Sequence, residues 1–227
     1  MSTAPNALQL AGIGMTSARA RQRMIDRLVS RGISDEAVWM VMAAVPRHIF
    51  VDEALSHRAY DDTTLPIGYG QTLSNSYTVA RMTSLVKECS ALESVLEIGS
   101  GSGYQTSVLA HLAKQVWSVE RIAELQDRAR SRCRLLSLSN VRFRVADGHW
   151  GWAEKGPYDA IVCTAAPDAV PSALLDQLSP EGGVLVIPVG DQQQQRLMRY
   201  RRYGDDIQSE DVEEAFFVPL VNTQVPL

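Results

Sequence analysis

The sequence predicts an α/β fold: a doubly wound, mostly parallel sheet with helices on both faces and a helical addition at its N-terminus. Three observations carry this expectation. The apolar run Val95, Leu96 and Ile98 reads as a buried strand. Three glycines at alternate positions follow it, Gly99, Gly101 and Gly103, and a helical pattern through Val108, Leu109 and Leu112 comes next. Further short apolar runs recur downstream, at 116–119, 141–145, 158–163 and 184–189. At 227 residues and 45% hydrophobic, the chain suits one such domain with a proper core.

The composition excludes several classes. A net charge of −4 is not built to attract nucleic acid. No apolar run approaches the 18 residues or so of a membrane span. Cys89, Cys133 and Cys163 lie far apart, so neither a disulfide framework nor a zinc site is expected. His48, His57, His111 and His149 show no ligand spacing, and no metal is expected. The N-terminus lacks a basic region ahead of its short apolar patch, so it does not read as a signal peptide and the protein is expected in the cytoplasm.

Residues 1–16 are expected to be a mobile tail, with Met15 an alternative translation start. Residues 17–227 form a single domain, helical and lid-like over 17–90 and nucleoside-binding over 91–227. A helix is expected from Ser17 to Arg31, with Met24, Ile25, Leu28 and Val29 on one face and Gly32 at its C-cap. Ser34 is read as the cap of a second helix whose apolar face is Val38, Val41, Met42 and Val45. Arg47 and His48 read as a solvated corner. The stretch Tyr60 to Ser76, rich in glycine and small polar residues, reads as a linker or an active-site lid. It runs into a helix beginning near Asn75 or Ser76. Ser74, at or just before that N-terminus, is placed either to cap the helix or to help bind a carboxylate.

Ile122 to Leu136 reads as a helix whose arginines, Arg128, Arg130, Arg132 and Arg134, spread around a solvated face. Val141 to Val145 is the third strand, Tyr158 to Cys163 the fourth and Val184 to Val189 the fifth. Pro180 to Gly183 reads as a turn, Gln192 to Gln195 as an exposed hairpin tip, and Leu197 to Tyr203 and Phe216 to Leu220 as the last strands.

Strand, glycine turn and helix start together make an anion- and nucleoside-binding device. The glycines permit close approach of backbone to ligand, and the free N–H groups of the first helical turn point at it. Glu120 ends the next strand, 21 residues beyond Gly99, where an acid accepts hydrogen bonds from ribose hydroxyls. The cofactor is therefore an adenosine derivative, a nicotinamide dinucleotide or S-adenosyl-L-methionine. The glycines run G-x-G-x-G rather than G-x-G-x-x-G, which favours the second. Glu97 would repel a pyrophosphate but attract an amino acid's ammonium group. Asp147, with Gly148, ends the third strand, where an acid can accept from an adenine amino group or simply form a turn. No nucleophile–base pattern appears. A carboxylate acceptor, ionised at neutral pH with a pKa of about 4, would need no base. The sequence after the fourth strand, Cys163-Thr164-Ala165-Ala166-Pro167, lacks the Asn/Asp-Pro-Pro-Tyr/Phe of base methyltransferases.

Taken together, Leu65 to Ser74 (with Gln71-Thr72-Leu73-Ser74), Val79 to Thr83, Val95 to Thr106, Ser118 to Arg121, Val162 to Pro167 and Phe217-Val218-Pro219-Leu220 resemble protein-L-isoaspartate O-methyltransferase. The resemblance runs from about Ser17 to Val221. It implies a Rossmann-like class I methyltransferase. Such an enzyme moves a methyl group from S-adenosyl-L-methionine to the α-carboxylate of an isoaspartyl residue in a damaged protein, and the ester then collapses to a succinimide. It implies that Ser74 lies at the reacting carboxylate as an orienting donor. Gln71, Glu97, Gly99, Gly101, Gly103, Glu120, Asp147 and Gly148 become cofactor contacts. The partners implied are isoaspartyl proteins and peptides, met by a monomer. Two departures stand out. The family usually reads Ser-x-Pro where this chain has Ser74-Asn75-Ser76, and losing a proline frees the open loop by about 0.4–1 kcal/mol. Gly148-His149-Trp150 is also unusual, with His149 covering the adenine edge. The alternatives are a methyltransferase of this fold for another carboxylate or small molecule, and a non-catalytic binder of damaged chains.

Overall fold

A computed structural model describes residues 10–88 and 92–222; residues 1–9, 89–91 (Cys89 among them) and 223–227 lie outside them. Helix α1 spans Ala18–Ser30 and α2 Glu36–Ala44. A short hairpin pairs β1, Leu65–Gly68, with β2, Gln71–Leu73, and leads into α3, Ser76–Lys87. The core alternates β3 (Ser94–Ile98), α4 (Tyr104–Leu112), β4 (Gln115–Glu120), α5 (Ala123–Leu135), β5 (Val141–Val145) and β6 (Ala160–Cys163). Helix α6, Ser172–Asp176, precedes β7, Glu181–Gly190, and the antiparallel strands β8, Gln195–Tyr203, and β9, Asp206–Ala215.

The seven strands are ordered β5-β4-β3-β6-β7-β8-β9. The first five are parallel, and β8 and β9 extend the sheet as an antiparallel hairpin. The central strands are buried on both faces, as parallel strands roofed by helices must be. Val95, Val116, Val162, Val184 and Val186 face Met82, Leu85 and Leu109 of α3 and α4. Leu96, Ile98, Val119, Ile161, Leu185 and Ile187 face Tyr158, Leu174 and Leu178 on the other side. Each such side chain contributes roughly 1.5–3 kcal/mol by leaving water. The chain leaves β3 toward β4 but leaves β6 toward β7. The C-terminal ends of β3 and β6 therefore flank the crevice where ligands bind in such sheets.

Several local expectations are corrected. Asp35, not Ser34, caps α2: its carboxylate accepts from the Val38 N–H at 3.2 Å and also pairs with Lys87 of α3 at 2.9 Å. The 60–76 stretch contains the hairpin, whose Tyr69-Gly70 tip has both residues at positive φ, 55° and 69°. Strand β7 begins at Glu181, inside the expected turn, and Gln195 is buried in β8 rather than exposed at a tip. Phe216 to Leu220 is not a strand of the sheet; it runs extended beside Ala166, which bridges to Pro219. Arg47 and His48 are buried, not solvated. Among the expected solvent-facing arginines of α5, Arg128 donates to the Ile67 carbonyl of the hairpin at 3.3 Å. Arg132 donates to the Ser102 carbonyl of the glycine turn at 2.9 Å. Among the described residues, no helix is long and apolar enough to cross a membrane.

Candidate active site

Three segments meet at the switch point: the glycine turn, the stretch from Thr64 through the hairpin to Asn75, and the extended segment 216–221. They enclose two adjoining cavities that share Thr72, Gly99, Gly101, Thr164 and Val218 as walls. The first is lined by Ser74, Asn75, Met82, Gln105 and Phe216. The second is lined by Gln71, Glu120, Arg121, Gly148 and Leu220.

The turn needs its glycines. Gly99 has φ +90°, and a Cβ there would lie 2.4 Å from Thr164 Oγ1, whose hydroxyl donates to the Gly99 carbonyl at 2.8 Å. Gly103, at φ +86°, is the first capping residue of α4, and a Cβ would lie 2.9 Å from the Ala129 backbone of α5. Gly103 therefore packs the turn and lines neither cavity. Gly101 lines both.

The two acids differ sharply. Glu120 accepts the Gly101 N–H at 2.9 Å through one oxygen and the Ile122 N–H at 3.0 Å through the other. It thus pins the turn while facing the second cavity. Glu97 lines neither cavity. It is fully buried behind the turn, accepting hydroxyl bonds from Thr106 at 2.6 Å and Ser118 at 2.5 Å, while Oε1 has no partner. Burial pushes its pKa from 4.5 to about 7; the two hydroxyls oppose the rise and the Glu120 charge adds to it. Its alternation explains the placement, since Leu96 and Ile98 take the opposite face of β3.

Asp147 also stays off the cavity walls. Its carboxylate meets the His149 N–H at 2.9 Å and the His149 ring at 2.8 Å, so the histidine folds onto the acid. Gly148 does line the second cavity, and a Cβ there would meet Ile98 Cγ2 at 2.5 Å. Asn75 accepts the Thr78 N–H at 2.9 Å and is the cap of α3. Ser74 is thereby relieved of capping, and its half-buried side chain lines the first cavity. Ser76, at the position of the resembled family's usual proline, is buried as the first helical residue, directly after the Asn75 cap.

Sequence reasoning missed Thr164 as the wall between the cavities and residues 216–221 as their roof. Gln195 holds that roof with two bonds to the Phe217 backbone, at 2.7 and 3.1 Å. The apolar run Phe216-Phe217-Val218 was the available signal, but an extended stretch that covers a crevice has the same composition as a strand.

Comparison with known proteins agrees with this geometry. A family model described as protein-L-isoaspartate(D-aspartate) O-methyltransferase matches residues 19–225. The chain is 54% identical over 207 residues to the protein-L-isoaspartate O-methyltransferase of Hahella chejuensis, covering 91% of this chain and 98% of that one. It is 55% identical over 213 residues to protein-L-isoaspartate O-methyltransferase 1 of Marinobacter nauticus, with 94% and 96% covered. Among solved structures, a protein-L-isoaspartate O-methyltransferase superposes with a TM-score of 0.79 at 27% identity, over 89% of this chain and 66% of that longer one. A structure assigned as a beta-aspartate methyltransferase of Plasmodium falciparum, in complex with S-adenosyl-L-homocysteine, gives 0.76 at 25% identity, over 88% and 98%.

Proposed function

The chain belongs to the protein-L-isoaspartate(D-aspartate) O-methyltransferase family, and from that premise we infer that it methylates the α-carboxylate of isoaspartyl residues in damaged proteins and peptides. The methyl donor is S-adenosyl-L-methionine, which supplies, when bound, a methyl group on a sulfonium sulfur. Repair starts when the resulting ester closes to a succinimide.

The residues present fit that donor. Glu120 offers a carboxylate with lone pairs still free for ribose hydroxyls, beside a wall kept flat at Gly148, and Gln71 adds an amide to the same cavity. The turn at Gly99 and Gly101 brings backbone, not side chains, to the boundary between the cavities. Glu97 and Gly103 would act from behind, by shaping the turn, and Asp147 by fixing the chain before Gly148.

One observation carries the choice of acceptor. Among the described residues, the first cavity is lined by hydroxyls, amides, apolar side chains and backbone, with no titratable side chain. Such a wall activates nothing by removing a proton. It suits an acceptor that arrives ionised, as a carboxylate does at neutral pH. The protein is left to align the acceptor for in-line attack and exclude water, which can supply roughly 7–11 kcal/mol. Ser74 would orient the acceptor by donating its hydroxyl hydrogen. Ser74→Ala should then lower kcat/KM for an isoaspartyl peptide about tenfold, the worth of one hydrogen bond to a charged group. Binding of S-adenosylhomocysteine should be unchanged in the same variant, and an equal fall in both would count against the role.

The acting form would be a cytoplasmic monomer working on proteins rather than nucleic acid. In support, the net charge is −4, and Cys133 and Cys163 are buried and unpaired. The deciding assay is transfer of labelled methyl to two peptides that differ only in an isoaspartyl or normal aspartyl linkage. Base-labile label on the isoaspartyl peptide alone is expected. Label on neither, with cofactor binding intact, would refute the reading and point to another acceptor.

A further inference from the structure

We propose that Arg47 is a positioning residue of the reaction: it locks the Ser74 loop against the helix that follows the cofactor turn and places a positive charge behind that loop. The proposal rests on the isoaspartyl methyltransferase reading and extends it to a residue remote in sequence from every motif of the site.

Arg47 opens the short 3-10 turn Arg47–Phe50 and is completely buried. Its Nη2 donates to the Ser74 carbonyl at 2.5 Å and its Nε to the Ala59 carbonyl at 2.8 Å. The guanidinium lies over the Tyr104 ring, 4.8 Å from its centroid. Tyr104 is the first residue of α4, directly after Gly103. One side chain therefore touches both the loop that would meet the acceptor and the buried first residue of the helix behind the glycine turn, which itself lines neither cavity. By fixing the Ser74-Asn75 peptide, Arg47 sets the direction of the Ser74 hydroxyl.

Both hydrogen bonds go to neutral carbonyls, and no carboxylate forms an ion pair with Arg47 among the described residues. Nη1 and the Tyr104 phenol oxygen, both buried, find no partner of good hydrogen-bond geometry. Burial lowers the arginine's pKa, opposed by Tyr104, Tyr60 and Asp62, yet an arginine keeps its proton. Two carbonyls could be bridged by a neutral amide with no buried charge. A desolvated cation is an expensive tie unless its field is used. Directly behind a loop that receives a carboxylate, in a poorly solvated interior, that field favours the ionised acceptor. The cavity itself offers the acceptor no cation among its described walls, which leaves this role open for Arg47.

The test compares wild type with Arg47→Met and Arg47→Lys. The readouts are kcat and KM for the isoaspartyl peptide, the dissociation constant of S-adenosylhomocysteine by calorimetry, and the melting temperature. The methionine variant should lose about tenfold or more in kcat/KM, seen chiefly as a raised peptide KM, and the lysine variant should recover part of it. S-adenosylhomocysteine affinity should stay within about twofold in both, since Arg47 touches neither cavity's cofactor wall. Folded variants with wild-type kcat/KM would overturn the proposal. So would a parallel loss of cofactor affinity, or unfolding of both variants, because Arg47 would then be a structural residue only. A wild-type enzyme inactive on the isoaspartyl peptide refutes the functional reading first, and the proposal falls with it.

Discussion

Replacing Glu120 with alanine should weaken S-adenosylhomocysteine binding on the order of 10²-fold or more while the chain stays folded. Two effects add. Glu120 lines the second cavity, where it would accept from both ribose hydroxyls, and a hydrogen bond to a charged group is worth about 1.5–3 kcal/mol. The same carboxylate also holds the Gly101 N–H at 2.9 Å and the Ile122 N–H at 3.0 Å, so its removal frees the turn as well as the ligand. Glu120→Gln keeps one acceptor oxygen and should fall between. The sheet should be indifferent, because Glu120 ends β4 and Val116 and Val119 carry that strand's core burial. Calorimetric titration of both variants checks this. Unchanged affinity in the alanine variant would place the ribose elsewhere.

Glu97→Gln should stabilise the protein at alkaline pH and remove most of its pH dependence between about pH 5 and 7. An unfolded glutamate titrates near 4.5, whereas burial holds this one at about 7. Between those values the folded chain retains a proton that the unfolded chain has released. Stability therefore falls as pH rises through this window, and the loss is complete above about pH 7. At 1.36 kcal/mol per pH unit, the gap amounts to about 3 kcal/mol, an order-of-magnitude figure. Glutamine keeps an oxygen for the Thr106 and Ser118 hydroxyls and cannot ionise. For a chain of this size each kcal/mol moves the melting temperature by about 2–4 °C. Melting curves of the two proteins from pH 5 to 8.5 should diverge progressively, with the variant higher at the alkaline end. Parallel curves would mean that Glu97 does not change its proton affinity on folding.

The parts of the fold that were legible in sequence are those whose cause is local. Val95, Val162 and Val184 sit in apolar runs because both faces of a central parallel strand are dry, and such runs announce themselves. The glycines did so too, since Gly99 and Gly103 are required by backbone conformation and by Thr164 and Ala129 pressed against them. Strand β9 was illegible for the opposite reason. It is an edge strand of mostly polar residues, and its acids answer arginines on β8: Asp211 pairs with Arg196 and Glu210 with Arg199. The β1–β2 hairpin was hidden by Pro66, Gly68 and Gly70, which weigh against a strand but suit a short ribbon with a left-handed tip. Within the site, Glu120 could be read from its spacing. Arg47 could not, because burial of a charged side chain depends on Ser74, Ala59 and Tyr104, none of which is near it in sequence.

The roof held by Gln195 ties the antiparallel end of the sheet to the crevice. Residues 216–221 are held over both cavities by the Gln195 side chain, by the bridge at Ala166 and by the packing of Phe217 and Leu220 on the core. Gln195 belongs to β8, and no residue of β8 or β9 lines either cavity among the described residues. The hairpin that extends the sheet thus supports a wall of a crevice it does not itself reach.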